Sequence, residues 1–422
     1  MAGKMLVHSH LFLQNRLNKR KEMFKPRQQG RVKLFTCGPS TYRRPHLGNY
    51  RTFLYEDILH RYLEYLGYEV QRVLNFTDVE DKAVQEAKEE GKALHQLTRP
   101  VEERFFSEAE TLKIKLPQSI PKASTSVDQA VFLIQSLLDQ GYAYWHQGDV
   151  FFDPLRFEGF GKLFGLDMSR WPQHKVRFRK DTYNGLRWNL GDFILWHGKR
   201  DQPADAIWDT AIGQGRPAWN IQDPAMITQT LGETIDISCG GVDNLYRHHD
   251  YNIAVIEAVS GRQFAPYWLH GEHLLVEGKK MSKSKGNITY PEDLLSREMQ
   301  PGELRFFLLS QHYRRRLDLT AENLSRSRRE LQAVQSGIKG LLEAEPAEKA
   351  TDSEASRCIS ELQEGFAFHM NDDLHLKKAF DAVGAQLKRL ASLQRDKRMG
   401  RQDQSDVRQR LQAMDSVFGF LL

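Results

Sequence analysis

Two lysines, Lys280 and Lys283, flank a small hydroxyl residue in the run Lys280-Met281-Ser282-Lys283-Ser284-Lys285-Gly286-Asn287. A loop of this composition is a mobile cationic arm, able to follow negative charge as it shifts from a bound triphosphate to departing pyrophosphate. Far upstream, His46-Leu47-Gly48-Asn49 follows Pro45 at what reads as a helix start. Glycine there lets a phosphate approach the backbone, and the first helical turn presents free N–H groups. The cysteines, Cys37, Cys239 and Cys358, are widely separated and odd in number. No disulfide framework is implied, and each is either a small buried hydrophobe or a metal ligand.

These residues need elements to hold them. An apolar run, Val32-Lys33-Leu34-Phe35, ends at Cys37-Gly38-Pro39 and reads as a strand feeding a turn. Leu54, Ile58, Tyr62 and Tyr65 then share one helical face, and Gly67 stops the helix. Val70 to Phe76 reads as a second strand. In such a β-α-β unit the phosphate-binding end is the turn between first strand and helix, where His46 falls. From Leu116 to Arg200, with Pro117, Pro121 and the strand-like aromatic run Tyr142 to Phe152, the pattern is less regular and reads as an insertion. The α/β pattern returns near Trp208 and runs to Ser284, with strand-like Leu274-Leu275-Val276 and a turn at Gly278 leading into the lysine loop. Beyond Leu304 the pattern is helical: Leu331, Val334, Ile338 and Leu341 share a face, as do Leu376, Phe380, Val383, Leu387 and Leu390. A polar stretch, Glu343 to Ser356, separates these two sets, and Val407, Leu411, Met414 and Phe418 mark a last helix. The expected fold is α/β, a Rossmann-like parallel sheet split by an insertion and followed by a C-terminal α-helical bundle. The expected boundaries are 1–115 and 207–302 for the halves of the catalytic domain, 116–206 for the connective insertion, and 303–422 for the helical stem and bundle.

Hydrophobic residues make up 40% and charged residues 27% of the 422 positions, the balance of an ordinary globular protein. No run approaches the roughly 18 apolar residues of a transmembrane helix, and no signal-type apolar stretch follows Met1-Ala2-Gly3-Lys4-Met5-Leu6-Val7, so a cytoplasmic protein is expected. A net charge of +5 is too mild to announce nucleic-acid binding, though it suits anionic ligands such as ATP. Arg326-Ser327-Arg328-Arg329 and Arg395-Asp396-Lys397-Arg398 read as solvated helix faces before phosphate contacts.

Together the histidine turn and the lysine loop resemble the HIGH and KMSKS signatures of class I aminoacyl-tRNA synthetases. Phe35-Thr36-Cys37-Gly38-Pro39-Ser40-Thr41-Tyr42, Asn75-Phe76-Thr77-Asp78-Val79-Glu80-Asp81-Lys82, Gly215-Arg216-Pro217-Ala218-Trp219 and Tyr267-Trp268-Leu269-His270 resemble motifs of the cysteinyl branch. The similarity runs in order from about residue 30 to the C-terminus. It implies an AMP- and diphosphate-forming ligase, in which an amino-acid carboxylate attacks the α-phosphate of ATP to give an aminoacyl adenylate, with Mg2+ accompanying the phosphates. His46, Lys280 and Lys283 would be catalytic. Gly38, His46, Gly48, Asn49, Asp243, Lys280, Ser282 and Lys283 would line the ATP site, and Cys37, Thr41, Asp223, Ser238, His248 and Asn252 the amino-acid pocket.

The family's zinc site, two cysteines, a histidine and a glutamate, is altered here. Cys37 and His248 occupy two ligand positions, but Trp219-Asn220-Ile221-Gln222-Asp223 places aspartate where the family has cysteine. His248-His249-Asp250-Tyr251-Asn252 ends on asparagine where the family has glutamate, and Asp236-Ile237-Ser238-Cys239-Gly240-Gly241 loses a histidine. The expectation is that zinc is absent and that Asp223, Asn252 and Ser238 read a polar or cationic group. A relocated set, Cys37, Asp223, Cys239 and His248, is the alternative. The similarity ends about where the family continues into an anticodon-recognising domain, a length resembling the truncated ligase of the mycothiol pathway. That analogy fits the length but not the zinc site, so its reaction is not assigned; the expected enzyme activates an amino acid other than cysteine and passes the acyl group to a small amine, a carrier or another nucleophile. The alternatives are a tRNA acceptor arm, as in a cysteine–tRNA ligase, and a non-catalytic regulatory paralogue.

Overall fold

The computed structural model describes residues 10–168, 191–200, 204–282, 285–295, 299–347 and 353–422. The chain opens on a hairpin, β1 (Phe12–Asn15) and β2 (Arg20–Met23), then runs through β3 (Arg31–Thr36), α1 (Leu47–Tyr65) and β4 (Glu69–Leu74). Helices α2 (Asp81–Glu90), α3 (Leu94–Thr111) and α4 (Val127–Asp139) lead to β5 (Ala143–His146), β6 (Asp149–Phe152), β7 (Phe193–Gly198), β8 (Trp208–Thr210) and β9 (Gly213–Pro217). Next come α5 (Trp219–Leu231), β10 (Ile237–Gly241), α6 (Asp250–Ser260), β11 (Tyr267–Gly271), β12 (Leu274–Val276), β13 (Lys279–Lys280), α7 (Pro291–Leu295), α8 (Pro301–Leu309) and β14 (Leu317–Leu319). Four long helices follow: α9 (Ala321–Glu343), α10 (Ser353–Asn371), α11 (Leu376–Arg395) and α12 (Arg401–Phe418). No described helix is long and apolar enough to cross a membrane.

The central sheet is parallel, in the order β11-β10-β3-β4. From β3 the chain crosses to β4 on one side, and β10 later fills the other side. Where strand order reverses in this way, a crevice opens at the carboxyl ends of the two strands and is the place for a ligand. The histidine turn follows β3, and the Gly240-Gly241 turn closes β10. This doubly wound sheet with its trailing helices is the expected fold class. The antiparallel sheet β5-β6-β7-β9-β8 is built from the aromatic stretch and continues to Pro217. The run Tyr142 to Phe152 is a hairpin rather than one strand, because Gln147 and Gly148, both at positive φ, turn it between β5 and β6. The sheet's core reaches α6, where the Phe193 and Tyr251 rings stack at 3.8 Å.

Helix α1 differs from the single apolar face its leucine and tyrosine spacing predicts. It is buried nearly all round, including Arg51, Glu56, Asp57 and His60. The cause is its place between the sheet and the helical region, where α8 and α12 pack on its far side. Its polar side chains are used as ties. Arg51 donates to the carbonyls of Glu272, His273, His312 and Arg315, and the Tyr55 hydroxyl donates to the Gly240 carbonyl at 2.8 Å.

Candidate active site and amino-acid pocket

At the end of β3 the backbone must pass close to the end of β4. A Cβ on Gly38 would sit 1.7 Å from the Asn75 carbonyl oxygen, so only glycine fits, and its N–H donates to Asn75 Oδ1 at 2.8 Å. Thr41, fully buried, continues this seam by donating its N–H to the Thr77 carbonyl at 3.0 Å. His46 then caps α1, with its own N–H bonded to Asn49 Oδ1 at 3.0 Å. Its Nδ1 is buried without a partner. Burial lowers the His46 pKa, and nearby Lys280 pushes the same way, so the ring is neutral at pH 7. A Cβ on Gly48 would lie 2.9 Å from this imidazole, which fixes glycine as the residue that leaves the ring its place.

Lys280 reaches the same mouth from β13. Its Nζ bonds both oxygens of Asp243 at 2.9 Å, and His273 Nε2 lies 3.4 Å from that carboxylate. The loop beyond is pinned at both ends. Ser282 N–H donates to Asn287 Oδ1 at 2.9 Å, and Leu47 N–H, in the first turn of α1, donates to the Thr289 carbonyl at 2.9 Å. Histidine turn and lysine loop are thus parts of one surface. Lys283 and Ser284 lie outside the described residues.

Behind this mouth, α5 and the start of α6 supply a buried polar cluster. Asp223 accepts from Asn75 Nδ2 at 2.9 Å and from Asn252 Nδ2 at 3.5 Å, and its Oδ2 is 2.8 Å from His248 Nε2. The His248 ring stacks on Trp219 at 4.2 Å. Arg247 takes a left-handed conformation (φ 73), strained for arginine, immediately before the two histidines. His248 faces Asp223, whereas His249 Nε2 lies 3.2 Å from Cys37 Sγ and its Nδ1 lies 2.8 Å from His270 Nε2. Burial keeps the Cys37 thiol protonated, with Asp223 adding to the effect. Burial likewise pushes His270 down to about 3 and holds His249 well below its ordinary range. Ser238 is fully buried, and its Oγ has no partner.

The relocated metal set is corrected by this arrangement. Side chains alternate across β10, so Cys239 faces α1 beside Tyr55 and Glu56, on the opposite side of the sheet from Ser238 and Gly240. Among the described residues, Cys37, His248 and His249 are instead the donors that lie within 4.8 Å of one another, all buried, a group compatible with zinc. The four-ligand site implied by resemblance does not fit. Asn252 offers an amide, a poor zinc ligand, and Asp223 is hydrogen-bonded to Asn252, Asn75 and His248. The His248-His249 doublet was visible in the sequence; which ring turns toward Cys37 was not. Asn75 and His270, both in recognisable motifs, carried no separate signal of their contacts with Asp223 and His249.

Residues 23–329 match the family described as tRNA synthetases class I (C) catalytic domain. The chain is similar to a cysteine–tRNA ligase of Chlamydia pneumoniae, 37% identical over 97% of this chain and 86% of that protein. A cysteine–tRNA ligase of Leptospira interrogans is 35% identical over 94% and 83%. Among solved structures, methionyl-tRNA synthetase of Mycobacterium tuberculosis in complex with methionyl-adenylate superposes with a TM-score of 0.65 at 15% identity, covering 92% of this chain and 90% of that one. The LeuRS–tRNA–LeuAMS ternary complex of Agrobacterium radiobacter K84 gives 0.66 at 12% identity, covering 94% and 85%. At these identities the two structures bear on fold alone.

Proposed function

Because the chain belongs to the cysteinyl-tRNA synthetase family of class I, we propose that it activates an amino acid with ATP and passes the acyl group to the acceptor arm of a tRNA. The observation that carries the first step is the meeting of His46, Lys280 and Asp243 at the crevice where sheet order reverses. An amino-acid carboxylate oxygen bonds to the α-phosphorus of ATP, and the bond to pyrophosphate breaks. No covalent bond to the protein is required, so the protein's work is orientation and charge stabilisation.

Neutral His46 offers the phosphates a hydrogen bond without a fixed charge, and the α1 N-terminus adds the positive end of the helix dipole. Lys280, parked on exposed Asp243, can exchange that partner for the leaving phosphates as their charge grows. Lys283 is assigned the same task on the strength of its place in the motif, and Mg2+ would arrive with ATP. Gly38, Gly48, Asn49 and Ser282 shape the nucleotide's path, while Thr41, Cys37, Asp223, Ser238, His248 and Asn252 surround the amino acid. Intact His46 and Lys280 argue against a silent paralogue, since simple amino-acid binding has no use for either. Similarity to cysteine–tRNA ligases over most of the chain favours a tRNA acceptor over a small amine.

The test is amino-acid-dependent ATP–pyrophosphate exchange over standard and non-standard amino acids, followed by charging of total tRNA with the acid that exchanges. Exchange followed by charging that periodate oxidation of the RNA 3′ end abolishes is expected. Exchange with transfer only to small amines would remove the tRNA half of the reading, and a protein inert in exchange would remove both.

A further inference from the structure

The polar cluster behind the crevice carries more acceptors than donors. Asn252 turns its amide nitrogen to Asp223, which leaves Oδ1 as the free end, and that oxygen has no partner. Ser238 Oγ is without a partner, and so is His248 Nδ1, a bare acceptor when Nε2–H faces Asp223. Asn252 is 1% exposed, Ser238 0% and His248 4%, so water does not satisfy these atoms from the surface. A buried polar atom left without a partner is costly to the fold. Two of these atoms belong to Asn252 and His248, side chains that contact Asp223, and they mark a site for a ligand that donates.

A thiol is a weak donor and a methyl group donates nothing. A primary ammonium brings three N–H donors, no acceptor and a positive charge to set against a carboxylate. We infer that the pocket selects an amino acid whose side chain ends in an ammonium group, held by Asp223 and the Asn252 carbonyl oxygen. This rests on the reading that the adjoining crevice makes aminoacyl adenylates, because that reading makes the cluster a side-chain pocket. A metal ion on Cys37, His248 and His249 is the competing occupant.

The experiment has two readouts on the full-length protein. Calorimetric titration in EDTA compares 2,3-diaminopropionate, 2,4-diaminobutyrate, ornithine and lysine with alanine, serine and cysteine, and the same panel is then run in pyrophosphate exchange. One ammonium-bearing acid should bind at least about tenfold more tightly than alanine or cysteine, since a site built to hydrogen-bond a polar group discriminates against analogues that lack it. Asp223→Asn should erase that margin, and Asn252→Ala, which spares the carboxylate, should narrow it. Preference for cysteine, preference that appears only with added zinc, or indifference to the ammonium group would each overturn the inference. Ammonium-selective binding without exchange would uphold the pocket and overturn adenylate formation. Exchange driven by a neutral amino acid would do the reverse.

Discussion

His46 is held in place by what is missing next to it. A methyl group at position 48 would meet its imidazole at 2.9 Å, inside ordinary contact, and the ring would have to move. Alanine at a helical position is otherwise more favourable than glycine by about 1 kcal/mol. Gly48→Ala should therefore leave the melting temperature unchanged or slightly raised while lowering the pyrophosphate-exchange rate by about tenfold or more; an active variant would show that the ring's position is not critical. Lys280→Ala acts on developing charge instead. Its exchange kcat should fall by two or more orders of magnitude with little change in amino-acid binding, the split expected of a group that works in the transition state. Equal losses in both would place Lys280 in ground-state binding. These residues were legible because their spacing is a signature. Asp223 was legible as a departure, but its bonds to Asn75, His248 and Asn252 span up to 148 positions and no pattern announces them.

Elements carry a second kind of information, visible in how α8 joins the helical region. Just after α8, His312 Nε2 lies 2.8 Å from the Asp373 carbonyl at the turn between α10 and α11, and its Nδ1 accepts from Arg314 N–H. Burial drives its pKa down to about 4, against the opposing pull of Asp373. His60 on α1 is lowered to about 4, also by burial, with Arg72 assisting. Both are neutral in the fold, whereas in the unfolded chain they take up protons near pH 6.5. Their contribution is complete above that pH and is lost as pH falls from about 6.5 toward 4. Thermal melts across pH 8 to 4.5 should show that decline, and His312→Gln should flatten it; a parallel curve for the variant would clear His312 of the effect. The elements themselves were largely readable. The break between α9 and α10 falls within Glu343 to Ser356, and β3, α1 and β4 lie where periodicity puts them. Periodicity failed for α1's polar face, because a helix covered on all sides buries residues that an amphipathic pattern assigns to solvent.

Across the whole molecule, Arg305 ties the helical region to the catalytic sheet's first helix. Fully buried on α8, it donates to Asp57 Oδ2 on α1 at 2.6 Å, to the Phe418 carbonyl at the end of α12 at 2.7 Å, and to the Leu112 and Lys113 carbonyls after α3 at 2.9 and 3.1 Å. Gly419, at φ +70, gives the guanidinium room, since a Cβ there would stand 2.9 Å from Nε. Nothing in the local sequence marks this arginine, whose partners lie more than 100 positions away on both sides. Removing one member of a buried ion pair leaves the other charge uncompensated and costs about 3–5 kcal/mol. Arg61 and the Lys115 N–H still serve Asp57, which places the expected loss at the lower end. Arg305→Met should lower the urea midpoint accordingly, and Arg305→Met combined with Asp57→Asn should recover part of the loss, because no unpaired buried charge remains. A double variant as unstable as the sum of its singles would mean that the carbonyl bonds to α12 and α3, rather than the ion pair, hold the helical region against the sheet.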